Sequence, residues 1–143
     1  MRVLDCGCGP GTITIGLAEA VEPGCVVGVD LQARYLAGAR ALAIQNGVDN
    51  LIVVAGSAYA LPFADATFDA AFANSVLMHL RDPLAALREL RRVLTSRGIV
   101  GIRDADLSAE VVAPAVGSQV NAGRTGRRAG YCALSRRPWL SLR

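Results

Sequence analysis

With 143 residues, 52% of them hydrophobic and 19% charged, the chain has the size of one domain and too much apolar content to stay disordered. No apolar run approaches the about 20 residues of a membrane-spanning helix, and Asp5 with its neighbouring glycines breaks the N-terminal apolar stretch too early for a signal peptide, so a cytoplasmic protein with no membrane segment is predicted. The net charge of +3 divides unevenly: residues 1–110 carry nine Arg and all 12 acidic residues, while residues 111–143 carry six Arg, no acid and none of the interleaved aromatics of a nucleic-acid binder.

The chain opens on a short buried strand that runs into the glycine-rich turn Gly7-Cys-Gly-Pro-Gly11. Gly7, Gly9 and Gly11 leave the backbone bare, and a helix starting at Thr12 aims its unpaired N–H groups into the same space. That helix is predicted over 12–21, with Ile13, Leu17 and Ala20 facing inward, and Glu22-Pro-Gly24 stops it. Residues 25–30 form a nearly all-apolar run ending on Asp30, the pattern of a strand buried on both faces of a parallel sheet. A second helix is predicted over 33–45, with Tyr35, Leu36, Ala39, Leu42 and Ala43 as its apolar stripe and Asn46-Gly47 closing it. The third strand is 51–55, and 56–67, containing Leu61-Pro-Phe63, is a loop.

The fourth strand is 68–74, followed by a short helical turn over 75–80. Asp82 is a natural N-cap with Pro83 at the first helical position. The helix that follows runs to about residue 94, with Leu84, Leu87, Leu90, Val93 and Leu94 inward and Arg88, Arg91 and Arg92 outward. A turn at 95–98 leads to the fifth strand, 99–103. Beyond about residue 113 the periodicity fails, leaving a mixture of Gly, Ala, Ser and Arg.

Regular alternation of strand and helix predicts an α/β domain: a Rossmann-like parallel sheet of about five strands with helices on both faces. The domain is assigned to residues 1–107, and 108–143 is expected to be an Arg-rich, acid-poor and poorly ordered tail. Ligands of such sheets bind beyond the carboxyl ends of the strands, so Asp5, Asp30 and Asn74 are expected to line one crevice. The cysteines are Cys6, Cys8, Cys25 and Cys132; Cys6-Gly-Cys8 has neither redox nor zinc spacing, and His79 is the only histidine. No metal site is predicted, and Cys6 and Cys8 are read as small side chains fitting a crowded turn.

Two ligand classes use a glycine turn after a first strand. The dinucleotide fingerprint G-x-G-x-x-G would make the protein an NAD-linked oxidoreductase. Here, however, the third glycine comes one position early, and Asp5 would repel a pyrophosphate while suiting a ligand that carries an ammonium and a sulfonium. Spacing and charge together favour S-adenosylmethionine. Asp30 could accept ribose hydroxyls in either case and does not discriminate.

Val3-Leu-Asp-Cys-Gly-Cys-Gly-Pro-Gly11 resembles the D-x-G-x-G-x-G motif of class I S-adenosylmethionine-dependent methyltransferases. The resemblance continues in order through Val29-Asp30, Gly56-Ser-Ala-Tyr-Ala-Leu-Pro-Phe63 with Phe68-Asp69, residues 74–80, and Asp82-Pro-Leu-Ala-Ala-Leu-Arg-Glu-Leu-Arg-Arg-Val-Leu94. It covers about residues 2–106 and is nearest to the small-molecule branch that includes the quinone-biosynthesis methyltransferases. The resemblance implies that Asp5 engages the methionine ammonium and that the glycine turn, Gly7, Gly9 and Gly11, passes its backbone under methionine and ribose. It further implies that Asp30 holds the ribose hydroxyls, Leu31 packs on the adenine, Ser57 and the Ala58 N–H meet the adenine edge, and the Asn74 backbone carbonyl contacts the methionine portion. Methyl transfer would be an in-line displacement needing alignment more than a marked catalytic residue; His79 is the weak candidate for a general base, with Tyr59 beside it.

Three departures stand against that pattern. Ser57 occupies the place of the family's usual Asp. Ser96-Arg97-Gly98 replaces Pro-Gly-Gly. Asn74 is followed by Ser-Val-Leu rather than the Pro-Pro-Tyr of amide and exocyclic-amine methyltransferases, which argues against DNA and protein-glutamine acceptors, while the resemblance itself implies a small-molecule acceptor. Relatives usually carry a helical segment before the first strand and further antiparallel strands after the fifth. A truncated core with an out-of-frame tail, or a catalytically impaired cofactor-binding module acting through a partner, is therefore the alternative expectation.

Overall fold

The computed structural model describes residues 1–104; the tail expected from residue 108 lies outside them. The elements are β1 (Arg2–Cys6), α1 (Thr12–Ala20), β2 (Cys25–Asp30), α2 (Ala33–Asn46), β3 (Leu51–Ala55), β4 (Phe68–Asn74), a single 3-10 turn at Leu77–His79, α3 (Pro83–Val93) and β5 (Leu94–Arg103). All five strands are parallel, in the order β3-β2-β1-β4-β5. The chain order reverses between β1 and β4, which places the switch point at the glycine turn.

Side-chain alternation along β1 divides the core. Val3 packs with Val26, Ala70 and Ala18 under α1, while Leu4 and Cys6 join Val27, Val29, Phe68, Leu90 and Val93 under α3. Helix α2 adds Leu36 and Ala39 beside Val53 on the α1 side. The 56–67 loop closes the α3 side through buried Leu61 and Phe63, whose ring meets Phe68 edge-on at 5.0 Å. Helices thus cover both faces, as the alternating pattern predicts.

Helix ends follow their expected chemistry. Asp82 caps α3 by accepting the Ala85 N–H at 3.0 Å, ahead of Pro83. Gly47 ends α2 in the left-handed region, φ 64°. Asn50, fully buried, donates to the carbonyls of Ala18 at 2.7 Å and Gly24 at 2.9 Å, tying the end of α1 to the start of β2.

Three local expectations are corrected. The inward face of α1 is Thr14, Ile15 and Ala18 rather than Ile13, Leu17 and Ala20: Ile13 sits on the rim of a cavity at the strand ends, Leu17 packs only partly, and Ala20 is exposed. On α3, Leu84 is exposed, and Arg92 turns back onto the 56–67 loop instead of pointing to solvent. The turn expected at 95–98 is absorbed into β5: Phe68 pairs with Leu94 and Ala70 with Ile99, so the extra residues form an irregular bulge within the ladder.

Candidate functional site

Two adjoining cavities open at the carboxyl ends of the strands. The larger, about 400 Å³, is lined by Asp30, Leu31, Ser57, Ala58, Tyr59 and His79 among others. The smaller, about 180 Å³, is lined by Asp5, Gly9, Thr12, Ile13 and Asn74 with their neighbours. Gly7 lines both, so a single bare peptide forms their shared wall.

The turn is shaped by its three glycines, all at positive φ: 76° at Gly7, 52° at Gly9 and 85° at Gly11. The N–H groups of Gly7 and Cys8 both donate to the Val29 carbonyl, at 2.7 and 3.0 Å, which pins the turn to the end of β2. A Cβ on Gly7 would run into the Val76 side chain, whereas one on Gly9 would meet nothing within 4 Å. Gly11 lines neither cavity. It is the N-cap of α1, and a Cβ there would lie 2.9 Å from that of Ala39, so this glycine lets α1 and α2 approach.

Asp5 is 3% exposed and its Oδ2 accepts the Thr14 hydroxyl at 2.6 Å. No described residue donates to its Oδ1, on a side chain that belongs to the lining of the smaller cavity. Burial pushes its pKa up; the Thr14 hydroxyl works against that shift, and the Asp30 charge adds to it. Helix α1 begins beside this carboxylate with no side-chain cap, and Thr12 and Ile13 of its first turn line the cavity. The smaller cavity therefore offers a carboxylate and a helix N-terminus together, the two ends of an amino-acid zwitterion in negative image.

In the larger cavity, Asp30 accepts the Gly9 N–H at 2.9 Å and the Gln32 N–H at 2.8 Å. Leu31, 75% exposed, stands at the rim, largely uncovered by the described residues. The Ser57 hydroxyl accepts the Tyr59 N–H at 3.2 Å, and the Tyr59 hydroxyl in turn accepts the Asp82 N–H at 3.2 Å. His79 is exposed on this wall, and no described residue hydrogen-bonds its ring to orient it as a base.

Cys6 and Cys8 are buried, and their thiols are pushed up to about 12, first by burial and then by the charges of Asp5 and Asp30. They stay protonated and serve as small packing groups. A Cβ on Gly28 would lie 2.9 Å from the Cys8 sulfur, which shows how tightly that side chain fills its niche. Among the described residues, no three metal-ligating side chains gather, and no helix is long and apolar enough to cross a membrane.

Thr14 and Ser75 are among the residues of the site that escaped the sequence reading. Thr14 left one signal, a hydroxyl at a helical position that the structure turns toward the sheet. Ser75, lining the larger cavity at φ 54°, left none; its N–H donates to the Arg103 carbonyl at 2.7 Å, a contact with the end of β5 that lies 28 residues away.

A family model described as a methyltransferase domain matches residues 1–128. An uncharacterized methyltransferase of Schizosaccharomyces pombe is 44% identical over 119 residues, which are 79% of this chain and 43% of that protein. A demethylmenaquinone methyltransferase of Roseiflexus castenholzii is 40% identical over 100 residues, covering 69% of this chain and 40% of its own length. The crystal structure of a SAM dependent methyltransferase from Aquifex aeolicus is similar with a TM-score of 0.68 at 30% identity, over 73% of this chain and 56% of that one. The chain thus spans about two fifths of the length of these two curated relatives.

Proposed function

This chain belongs to the class I S-adenosylmethionine-dependent methyltransferases, and from that premise we propose that its paired cavities hold the cofactor and that it methylates a small-molecule acceptor. The observation that carries the reading is the arrangement around Gly7: a bare peptide joins two cavities, with the Asp5 carboxylate in one and the Asp30 carboxylate in the other. The residues present fit that group. Asp5 with the uncapped start of α1 suits an amino-acid zwitterion, and Gly9 leaves its Cβ position open. Asp30 keeps lone pairs beyond its two backbone partners, enough to accept a pair of hydroxyls.

On this reading Asp5 binds the ammonium, the Gly7 and Gly9 backbone lies under methionine and ribose, and Asp30 holds the ribose. Leu31 covers one adenine face, Ser57 and Ala58 meet its edge, and the Asn74 carbonyl contacts the methionine portion. When bound, S-adenosylmethionine supplies a methyl group already activated on a sulfonium. The chain's own task is to align that methyl with an acceptor and exclude water, which needs no oriented base and agrees with an unsupported His79. A small acceptor is favoured by Asn74-Ser-Val-Leu, which lacks the residues that clamp amide or exocyclic-amine substrates.

Calorimetric titration tests the first half. Binding of S-adenosylmethionine and its demethylated product, with none of NADH, is expected; no binding below about 1 mM, a weak interaction of about 4 kcal/mol, would refute it. A turnover screen against phenolic, quinone and amine acceptors tests the second. Tight binding with no turnover on any acceptor would point instead to a cofactor-binding module.

A further inference from the structure

Behind the larger cavity, on the far side of the 56–67 loop, Arg92 of α3 spends every guanidinium donor on protein. Its Nε and one Nη2 proton grip both oxygens of Glu89, each at 2.8 Å. Its remaining three donors go to the loop: Leu61 O at 3.0 Å, Phe63 O at 2.8 Å and Asp65 Oδ1 at 2.8 Å. Glu89 Oε2 also accepts the Leu61 N–H at 2.9 Å, so both backbone groups of Leu61 are held by one ion pair. Neither residue lines the larger cavity; both line a separate one of about 630 Å³, and Tyr59 belongs to both linings.

The other end of the same turn is fixed as well. Gly56 donates to the Asp30 carbonyl at 3.0 Å, and a Cβ on it would lie 2.9 Å from Pro62 and 3.0 Å from Val29. Between these two anchors, Ser57–Ala60 is a tight turn closed by the Ala60 N–H donating to Ser57 O at 3.1 Å. With the Tyr59 hydroxyl also tied to the Asp82 N–H, the grip on Leu61 is what holds the far end of the turn. A saturated, planar five-donor fork is what a solvated surface arginine does not need and a lysine cannot reproduce.

We propose that Glu89 and Arg92 are positioning residues for the adenine-side wall, setting cofactor affinity through the 57–61 turn without touching the ligand. The proposal rests on the cofactor reading above for where the adenine lies, but the clip itself is independent of it. The test compares the full chain with Arg92→Lys, Glu89→Gln, Ser57→Ala and the double Arg92→Lys/Ser57→Ala, using Arg91→Lys on the exposed face of the same helix as control. Hydrogen exchange without ligand is read over 57–61 and, for reference, over β2. Affinity is read by titration with S-adenosylhomocysteine and with 5′-methylthioadenosine, which lacks the amino-acid end.

In Arg92→Lys, exchange over 57–61 accelerates about tenfold or more while β2 is unchanged, the result of losing one or two ordinary hydrogen bonds. Both ligands weaken by the same factor, about tenfold, and the Arg92→Lys and Ser57→Ala losses are non-additive because one acts through the other. If Arg92→Lys fails to fold, Glu89→Gln, which leaves the carbonyl bonds of Arg92 in place, carries the same comparison. Faster exchange with unchanged affinity, or additive losses, would make the pair merely structural and overturn the proposal. Unchanged exchange would overturn the clip itself. If the wild-type chain binds neither ligand, the cofactor reading fails and with it the affinity role, while exchange still judges whether the pair holds the turn.

Discussion

The Asp30 carboxylate accepts the Gly9 N–H at 2.9 Å across 21 residues of sequence, binding the end of β2 to the middle of the glycine turn. Its other oxygen accepts the Gln32 N–H at 2.8 Å, so each oxygen already has one partner before any ligand arrives. Asp30 thus organises the turn as well as, on the proposed cofactor reading, offering itself to a ribose.

This double duty separates two substitutions. In Asp30→Asn the amide nitrogen must face one of two backbone N–H groups it cannot accept, so the turn loosens and affinity for S-adenosylmethionine falls at least about tenfold, the worth of one charged hydrogen bond. Asp30→Glu keeps the charge but cannot place both oxygens at the same distances, and an intermediate loss is expected. Titration and thermal melting of the three proteins check it; undiminished affinity in Asp30→Asn would remove Asp30 from both roles.

The glycines make opposite predictions. Gly9→Ala puts a methyl into open space at φ 52°, so the fold survives at a cost of about 1–2 kcal/mol for the left-handed backbone, yet ligand binding is lost because the methyl occupies the cavity. Gly11→Ala adds the same backbone strain and a contact of 2.9 Å with Ala39, so it loses more stability, and affinity follows only as folding fails. A melting temperature lowered more by Gly9→Ala than by Gly11→Ala would contradict this division.

Much of the fold was legible because parallel strands announce themselves: residues 25–30 and 51–55 are apolar on both faces, and Asp82-Pro83 and Asn46-Gly47 punctuate helices by local chemistry alone. The strand-end positions of Asp5, Asp30 and Asn74 followed from that pattern. What was not legible depends on contacts distant in sequence. Ile13 and Leu17 form a plausible inward pair on α1, but the short helix rotates Thr14 and Ala18 inward, with Thr14 on the buried Asp5. Arg92 looked like one of three solvated arginines, and its partners Leu61, Phe63 and Asp65 lie 27 to 31 residues away. Residues 95–98 read as a turn, since a bulge is defined by the partner strand rather than by its own sequence.

Asp5 gives a pH dependence with a definite sign. Burial holds its folded-state pKa above the ordinary carboxylate value, so the folded chain binds this proton more tightly than the unfolded chain. The group's contribution to stability is therefore complete below its unfolded pKa and is lost as pH rises through the raised folded value. Ligand binding runs the other way, because only the carboxylate attracts an ammonium. Affinity for S-adenosylmethionine should fall on acidification at a higher pH than an unperturbed Asp would give, while Asp5→Asn binds weakly with a flat profile. Thr14→Val removes the hydroxyl that favours the charged form, and the wild-type midpoint should move upward. A profile identical in wild type and Asp5→Asn would take Asp5 out of the binding site.

Ser57 offers a gain rather than a loss. Its hydroxyl already accepts the Tyr59 N–H at 3.2 Å, which leaves a weak acceptor for the adenine amino group that the proposed reading puts on the same wall. In Ser57→Asp one carboxylate oxygen can keep the Tyr59 bond while the second accepts from the ligand as a charged group, for a gain of about 1 kcal/mol, or about fivefold in affinity. The gain should appear equally for S-adenosylmethionine and for 5′-methylthioadenosine, since the added contact lies at the end they share. A gain confined to S-adenosylmethionine would instead mean that the new charge acts at long range on the sulfonium, and no gain for either would move the adenine edge away from residue 57.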